Sequence, residues 1–382
     1  MASQRTDLRP KPVADAKGQR LVSLDLLRGL AVAGMILVNE MAGMESQGPV
    51  YPTLLHSSWA GLTLADWVFP AFLMMVGVSV PLSLGDRAAA GLAAGEAKRI
   101  VWRSLRLILL GFVLSNLWWF SDFSATTWRL FGVLQRIGLV YGACAFLFLL
   151  CGPRTRLLII AATLLLYWPL CLIPSLDGMP NDIWVRGHNF VASVDRVLLG
   201  SHVYVKGPDG YDPEGLLGTL PAVAHGLIGV AIGEFLQRRQ PASLRTLAVG
   251  GLAMLVAGCL WSLLFPVVKD IWSSSFVLVS CGITTLLLAG LHLAFDDGRA
   301  IAGWRKIVAV ILLPFGVNAI AAYVLHDIAG GMLGWDLFLQ PYREARALLT
   351  PEFAALVPVT LFIAFIWLCV AYLWRRNWVI KI

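Results

Sequence analysis

The sequence predicts an all-α fold, a polytopic transmembrane helical bundle of about ten spans with both termini cytoplasmic. Three observations predict it. The 382 residues are 58% hydrophobic and 14% charged, with a mean hydropathy of +0.75, whereas soluble chains carry about 25% charged residues. Apolar runs long enough to cross a hydrocarbon core recur along the whole chain. The lysines and arginines between those runs fall mostly on alternate sides, as the positive-inside rule requires.

Reading the hydropathy in a window of about 19 residues places spans near 24–45, 61–84, 101–120, 132–152, 155–174, 216–237, 243–266, 273–295, 307–326 and 352–374. Polar residues interrupt the third, fourth and ninth, so counts of nine or eleven stay open. With ten spans, 22 of the 30 Lys and Arg lie on the side of the termini and 8 on the other. The eight are Arg129, Arg136, Arg186, Arg196, Lys206, Lys269, Arg343 and Arg346. The far side then carries three long loops, near 46–60, 175–215 and 327–351. Loops of that length in a compact protein are functional or disordered, and Trp184, Phe190, Tyr204 and Tyr211 in the second argue for an ordered lid. Residues 1–22 read as a basic cytoplasmic tail and 23–382 as one transmembrane domain.

Composition also excludes. The net charge of +7 belongs to span-flanking basics and does not point to nucleic acid. The six cysteines lie in or beside apolar runs with no CxxC or Cys/His spacing, so neither a metal nor a disulfide framework is expected. The first twenty residues lack the apolar core of a cleaved signal peptide. The absence of a glycine-rich phosphate loop argues against nucleotide hydrolysis.

Ionisable groups inside spans need partners or a wet cavity, which makes them the candidates for function. His56 stands just before the second span, at the expected membrane edge, and imidazole suits proton or acyl transfer near neutral pH; a capping or snorkelling role is the structural alternative. In the first span Arg28 and Asn39 lie about 20° apart in projection and roughly 16 Å apart along the axis. Asn39 thus reaches the depth expected of His56, and a buried amide there would need a partner. Asp25 lies on the same face as Arg28; the two can equally form a pair capping the helix start. Asp66 sits one to two turns into the second span. Gln135 and Arg136 open the fourth span from the far side, Glu214 closes the long loop, and Asn318, Tyr323 and His326 approach the far face in the ninth. His225 and His292 read as packing residues. Polar groups converging on one side, with basic residues at the other mouth, fit an anionic cytosolic ligand reaching across to distant chemistry. They fit a transporter equally.

Several segments carry a resemblance. Ser23-Leu24-Asp25-Leu26-Leu27-Arg28-Gly29 with Val38-Asn39, and His56-Ser57-Ser58-Trp59-Ala60-Gly61-Leu62-Thr63-Leu64-Ala65-Asp66 with Val68-Phe69-Pro70, are similar to segments of the heparan-α-glucosaminide N-acetyltransferase family and its bacterial inner-membrane relatives. So are Gly132-Val133-Leu134-Gln135-Arg136-Ile137-Gly138, Tyr211-Asp212-Pro213-Glu214-Gly215, Trp272-Ser273-Ser274-Ser275-Phe276 and Phe315-Gly316-Val317-Asn318 with Tyr323 and His326. The set runs in order from about residue 20 to the C-terminus.

The resemblance implies a multi-pass enzyme of the bacterial inner membrane. It would take acetyl from cytosolic acetyl-CoA, a co-substrate, and pass it to the amine of a glucosamine-type sugar on the periplasmic side, with no metal. It places the family's active-site histidine on His56 and a site asparagine on Asn39. With that chemistry, Asp66 is expected to orient His56. Arg28, Arg103, Arg106 and Asp25 are expected near the CoA phosphates, although the arginines are equally accounted for by the positive-inside bias. Gln135, Arg136, Glu214, Asn318 and His326 are expected toward the sugar. The expected partners are the amino sugar, acetyl-CoA, the lipid bilayer and a second copy in a homodimer. A sugar transporter or permease, and an O-acetyltransferase of surface glycans, remain the alternatives.

Overall fold

The computed structural model describes residues 21–88, 91–117, 119–124, 128–237, 243–332 and 336–380. The expected tail, apart from its last two residues, lies outside them, as do Arg238, Arg239 and Lys381. The elements in chain order are α1 (Val22–Met44), α2 (Leu64–Ala88), α3 (Ala94–Ser115), α4 (Trp119–Asp122), α5 (Val133–Leu150), α6 (Pro153–Cys171) and α7 (Phe190–Leu199). They continue with α8 (Thr219–Gln237), α9 (Ser243–Trp261), α10 (Ser274–Phe295), α11 (Trp304–Val317), α12 (Ala319–Met332), α13 (Asp336–Ala345) and α14 (Pro351–Arg375). Among the described residues there is no strand, only a single bridge between Val205 and Tyr211.

Eight of these helices are long and apolar enough to cross a membrane: α1, α2, α5, α6, α8, α9, α10 and α14. The chain is therefore an all-α, polytopic bundle. The expected third span is α3, whose basic first half removes it from that set. It nonetheless packs along α5, because a side chain at Gly138 or Gly142 would meet Ser104 and one at Gly111 would meet Leu134.

The expected ninth span differs most. It is two helices, α11 and α12, bent by 77° at Asn318. The break has a local cause: the chain loses helical geometry at Asn318 (φ −114°, ψ 41°). There Asn318 Nδ2 donates to Trp378 O at 3.1 Å and Oδ1 accepts from Ile380 N at 3.1 Å. Asn318 thus fastens the segment after α14. The face bearing the start of α1 is also where α11 lies, because a Cβ on Gly29 would run into the Leu312 carbonyl and one on Gly316 into that of Asp25. Backbones approach so closely only where both residues are small. The expectation that Asn318 approaches the far face is therefore corrected: it lies at the N-terminal face, and only α12 rises from it toward the far side.

The main core joins α1, α2, α5, α8 and α10 around residues such as Leu27, Met74, Val140, Val230 and Phe276. A second cluster, with Trp59, Tyr167, Val191, Tyr211 and Phe265, packs the far-side loops onto the bundle. The far side is consequently a built structure. The long loop contains α7, and the third loop contains α13.

Candidate active site

His56 lies in the segment between α1 and α2, and local hydrogen bonds fix it. Asp66, in the first turn of α2, receives Ser57 N at 3.0 Å, Thr63 N at 3.2 Å and Thr63 Oγ1 at 3.0 Å on Oδ2. That leaves Oδ1 for His56 Nδ1, at 2.8 Å. Asp66 is buried, whereas the His56 side chain is 46% exposed. A neutral imidazole here donates Nδ1–H to the carboxylate, so Nε2 keeps its lone pair and faces out. The His56 loop is docked further by Trp59 Nε1, which donates to Ile183 O at 2.9 Å, and by Gly61 N, which donates to Val267 O at 2.8 Å. Gly61 has φ +138°, a backbone that favours glycine.

Beside the imidazole opens a cavity of about 100 Å³. Its polar lining is Asn39, His56, Glu214, Lys269 and Tyr323; the rest is apolar, including Ala31, Val32, Met35, Phe69 and Phe72. From Asn39 to Ala31 the cavity follows α1 for about 12 Å at the helical rise. Asn39 is exposed, so the expectation of a buried amide is corrected. Asn39 lines the cavity, and among the described residues its carboxamide has no hydrogen-bond partner.

Glu214 reaches the cavity through the Tyr211–Gly215 turn. Asp195 of α7 holds that turn by accepting Asp212 N at 3.2 Å and Leu216 N at 3.1 Å. Arg129 ties the two acids together, donating to Asp212 Oδ2 and Oδ1 at 2.8 and 2.6 Å and to Glu214 Oε2 at 2.5 Å. Burial opposes ionisation of Glu214, but Arg129, Arg136 and Lys269 outweigh it and hold its pKa below the ordinary range of a glutamate. Asp212 shares the same guanidinium and is pushed the other way, upward, chiefly by burial. Glu214 faces three cations, which favour its ionised form. Burial also raises Asp195, to about 7.

The other sequence candidates separate into distinct places. Arg136 is fully buried against Trp272, 4.9 Å from the ring centre, and its Nη2 donates to Gly215 O at 3.1 Å. It lies behind the Glu214 turn, outside the cavity lining. Gln135 packs in the α3–α5 seam and donates to Leu130 O at 3.3 Å. His326 is clasped between Glu40 and Asp327, at 2.9 Å from each. Arg28 pairs with Asp25 at 3.1 Å and bonds Ser79 of α2, one turn below the cavity's lower wall. Arg103 and Arg106 are exposed on α3; Arg103 lies 4.5 Å from the Tyr141 ring centre, and Arg106 Nε donates to Trp102 O of its own helix at 3.3 Å. The structure thus brings together His56, Asp66, Asn39 and Glu214. It sets Gln135, Arg136, Asn318 and His326 apart from them. His225 is buried against Trp272.

Two cavity residues, Lys269 and Tyr323, are not marked as site residues by the sequence. Lys269 stands out there only as one of the few far-side basics, and that scarcity is its one signal. Tyr323 shows in the sequence as a polar group of the ninth span, without a role.

Residues 20–249 match the family model described as heparan-alpha-glucosaminide N-acetyltransferase, catalytic. The chain belongs to this family. It is 27% identical over 415 aligned residues to the heparan-alpha-glucosaminide N-acetyltransferase of Homo sapiens, an alignment covering 94% of this chain and 59% of that protein. With the Mus musculus protein of the same name it shares 27% identity over 369 residues, covering 82% of this chain and 54% of the other. The chain therefore spans a little under six-tenths of the curated relatives it matches. His56, Asp66, Asn39 and Glu214 all fall within the matched stretch, whereas Lys269 and Tyr323 lie beyond it.

Proposed function

We propose that the chain is a transmembrane N-acetyltransferase of the bacterial inner membrane, moving acetyl from cytosolic acetyl-CoA to the amine of a glucosamine-type sugar on the periplasmic side. The observation that carries this reading is the Asp66–His56 pair at the mouth of a narrow cavity that also presents Asn39 and Glu214. Asp66 accepts Nδ1–H, and Nε2 is left as the base. Glu214, ionised and inside the cavity, is suited to receive the sugar ammonium. His56 Nε2 takes a proton from that ammonium, and the freed amine attacks the thioester carbon. The C–N bond forms as the carbonyl electrons move to oxygen. Collapse breaks the C–S bond, and the thiolate takes a proton from the imidazolium. One further proton passes to solvent, so ammonium plus thioester gives amide, thiol and a proton. Asn39 is placed to donate to the carbonyl oxygen as its charge grows. A route through an acetylated His56 uses the same atoms in two steps.

The cavity's shape supports the two-sided reading. It is slender and apolar below Asn39, suiting the arm of CoA, and Arg28 stands one turn below its lower end, where an anionic nucleotide would be attracted. A permease reading lacks a need for the buried carboxylate behind His56. The test is thiol release from acetyl-CoA by the purified, detergent-solubilised chain in the presence of glucosamine. Thiol release that requires the sugar supports the reading, and uptake of sugar without covalent change would replace it. In sealed right-side-out vesicles with glucosamine outside, product should form when acetyl-CoA is loaded within; product formed only from external acetyl-CoA would overturn the two-sided geometry.

A further inference from the structure

Lys269 stands beside the proposed base. Its Nζ lies 3.2 Å from His56 Nδ1 and 3.5 Å from Nε2. An approach in the ring plane at nearly equal distances from both nitrogens would drive the ammonium into the carbon between them. Lys269 therefore sits over the face of the imidazole. There it leaves the in-plane lone pair of Nε2 free and leaves Nδ1–H to Asp66. It is also the one lysine or arginine among the described residues lining the cavity.

The segment that presents it is constructed with unusual rigidity. Ser273 Oγ donates to Pro266 O at 2.7 Å and accepts Val268 N at 3.0 Å, and Ser275 Oγ donates to the same carbonyl at 2.9 Å. Trp272, fully buried, adopts φ +54°, a strained backbone for a bulky residue that persists only where its surroundings over-determine it. Such strain clusters at functional sites. The same segment meets the His56 loop through Gly61 N and Val267 O, so the imidazole and the ammonium are held on one framework.

We propose that Lys269 is a catalytic electrophile: its ammonium donates to the thioester carbonyl oxygen and neutralises the charge that develops there as the sugar amine attacks. This rests on the acetyl-transfer reading above. Lys269 N–H donates a hydrogen bond to the oxygen as the carbonyl pair moves onto it, and that pair reforms the C=O bond when the C–S bond breaks.

The experiment uses the full chain in detergent, glucosamine, and acetyl-CoA carrying ¹³C at the carbonyl. The wild type must release thiol with the sugar present; if it does not, the acetyl-transfer reading falls, and this proposal with it. Given an active wild type, K269M should lose about 10²–10³-fold in kcat, the range for one oxyanion donor, with the dissociation constant for acetyl-CoA within about threefold. K269R should recover at least tenfold of that loss. The infrared carbonyl band of bound acetyl-CoA should lie at lower frequency in the wild type than in K269M. A K269M enzyme within about threefold of wild-type kcat, an unmoved carbonyl band, or a loss confined to sugar KM would each overturn the proposal while leaving acetyl transfer standing. Should K269M fail to fold, K269R against K269Q decides: at least a tenfold advantage for arginine supports the electrophile, and equal rates overturn it.

Discussion

The two ends of the cavity are built on different rules. At the far end, side chains from α1, the His56 loop, the Glu214 turn and the Lys269 segment meet around one imidazole, and the loops among them are held by hydrogen bonds to distant parts of the chain. At the near end the arginines largely settle with close neighbours: Arg28 with Asp25 on the same helix, Arg106 with a carbonyl one turn back, Arg103 over a ring of adjacent α5. Convergence from distant segments is costly to assemble, because each loop must be ordered against its conformational entropy. Basic residues at a membrane mouth need no such assembly, since topology alone accounts for them. On the proposed reading, the contrast puts the chemistry at the far end and leaves the near end at most an electrostatic attraction.

The largest effect expected is at His56. His56→Ala should abolish acetyl transfer, a loss above about 10³-fold as for removal of a triad base, while the protein keeps its melting behaviour in detergent. More than a small residual rate would take His56 out of the base role and dissolve the contrast. Asp66→Asn should follow, with a loss between about 10²- and 10⁴-fold as the imidazole loses its tautomer control; the readout is kcat beside an unchanged affinity for acetyl-CoA. Asn39→Ala should cost about 10²-fold, the lower range for an oxyanion donor, and an effect on sugar affinity alone would move Asn39 to substrate positioning.

The near end sharpens the comparison. Arg28→Ala should weaken acetyl-CoA binding about tenfold, more at low salt where attraction is least screened, with sugar KM unchanged. Arg103→Ala and Arg106→Ala, exposed on α3, should lose less than about threefold, within the range of exposed charges. Equal losses at all three would mean that the near mouth is a constructed binding site after all.

Much of this architecture is legible in the amino-acid sequence, and what is not has a physical reason. Eight spans are long apolar runs, and hydropathy reads those because lipid demands them. The His56–Asp66 pair is legible through its motif, since both residues lie within one short loop and one helical turn. Glu214 is legible only as a member of a family segment, because its place in the cavity depends on Arg129, distant in sequence, and on Asp195. The break at Asn318 is only partly legible: polar residues interrupt the ninth span, but the partners of Asn318 lie in the chain end after α14, some sixty residues on. Lys269 is illegible for a similar reason. Its meaning comes from the distance to an imidazole 213 residues earlier in the chain.

The remaining effect is on stability and leaves the rate untouched: it concerns how the far end is held together. Asp195 anchors the Glu214 turn, and burial raises it from the ordinary 3.8 to about 7. In the unfolded chain the carboxyl ionises near its ordinary value, whereas in the folded protein it holds its proton to higher pH. Between those values the folded state binds more protons, so stability falls as pH rises from about 4 to about 7 and is level on either side. The backbone donors of Asp212 and Leu216 moderate the cost of the charge without removing it. The loss across the window should be on the order of 1–4 kcal/mol. Asp195→Asn cannot titrate, so the melting temperature of the wild type relative to this variant should decline across the same window. A relative stability that stays flat from pH 4 to pH 7, or one that rises, would show that the turn holds an ordinary ionised carboxylate and that the far end is less buried than its packing implies.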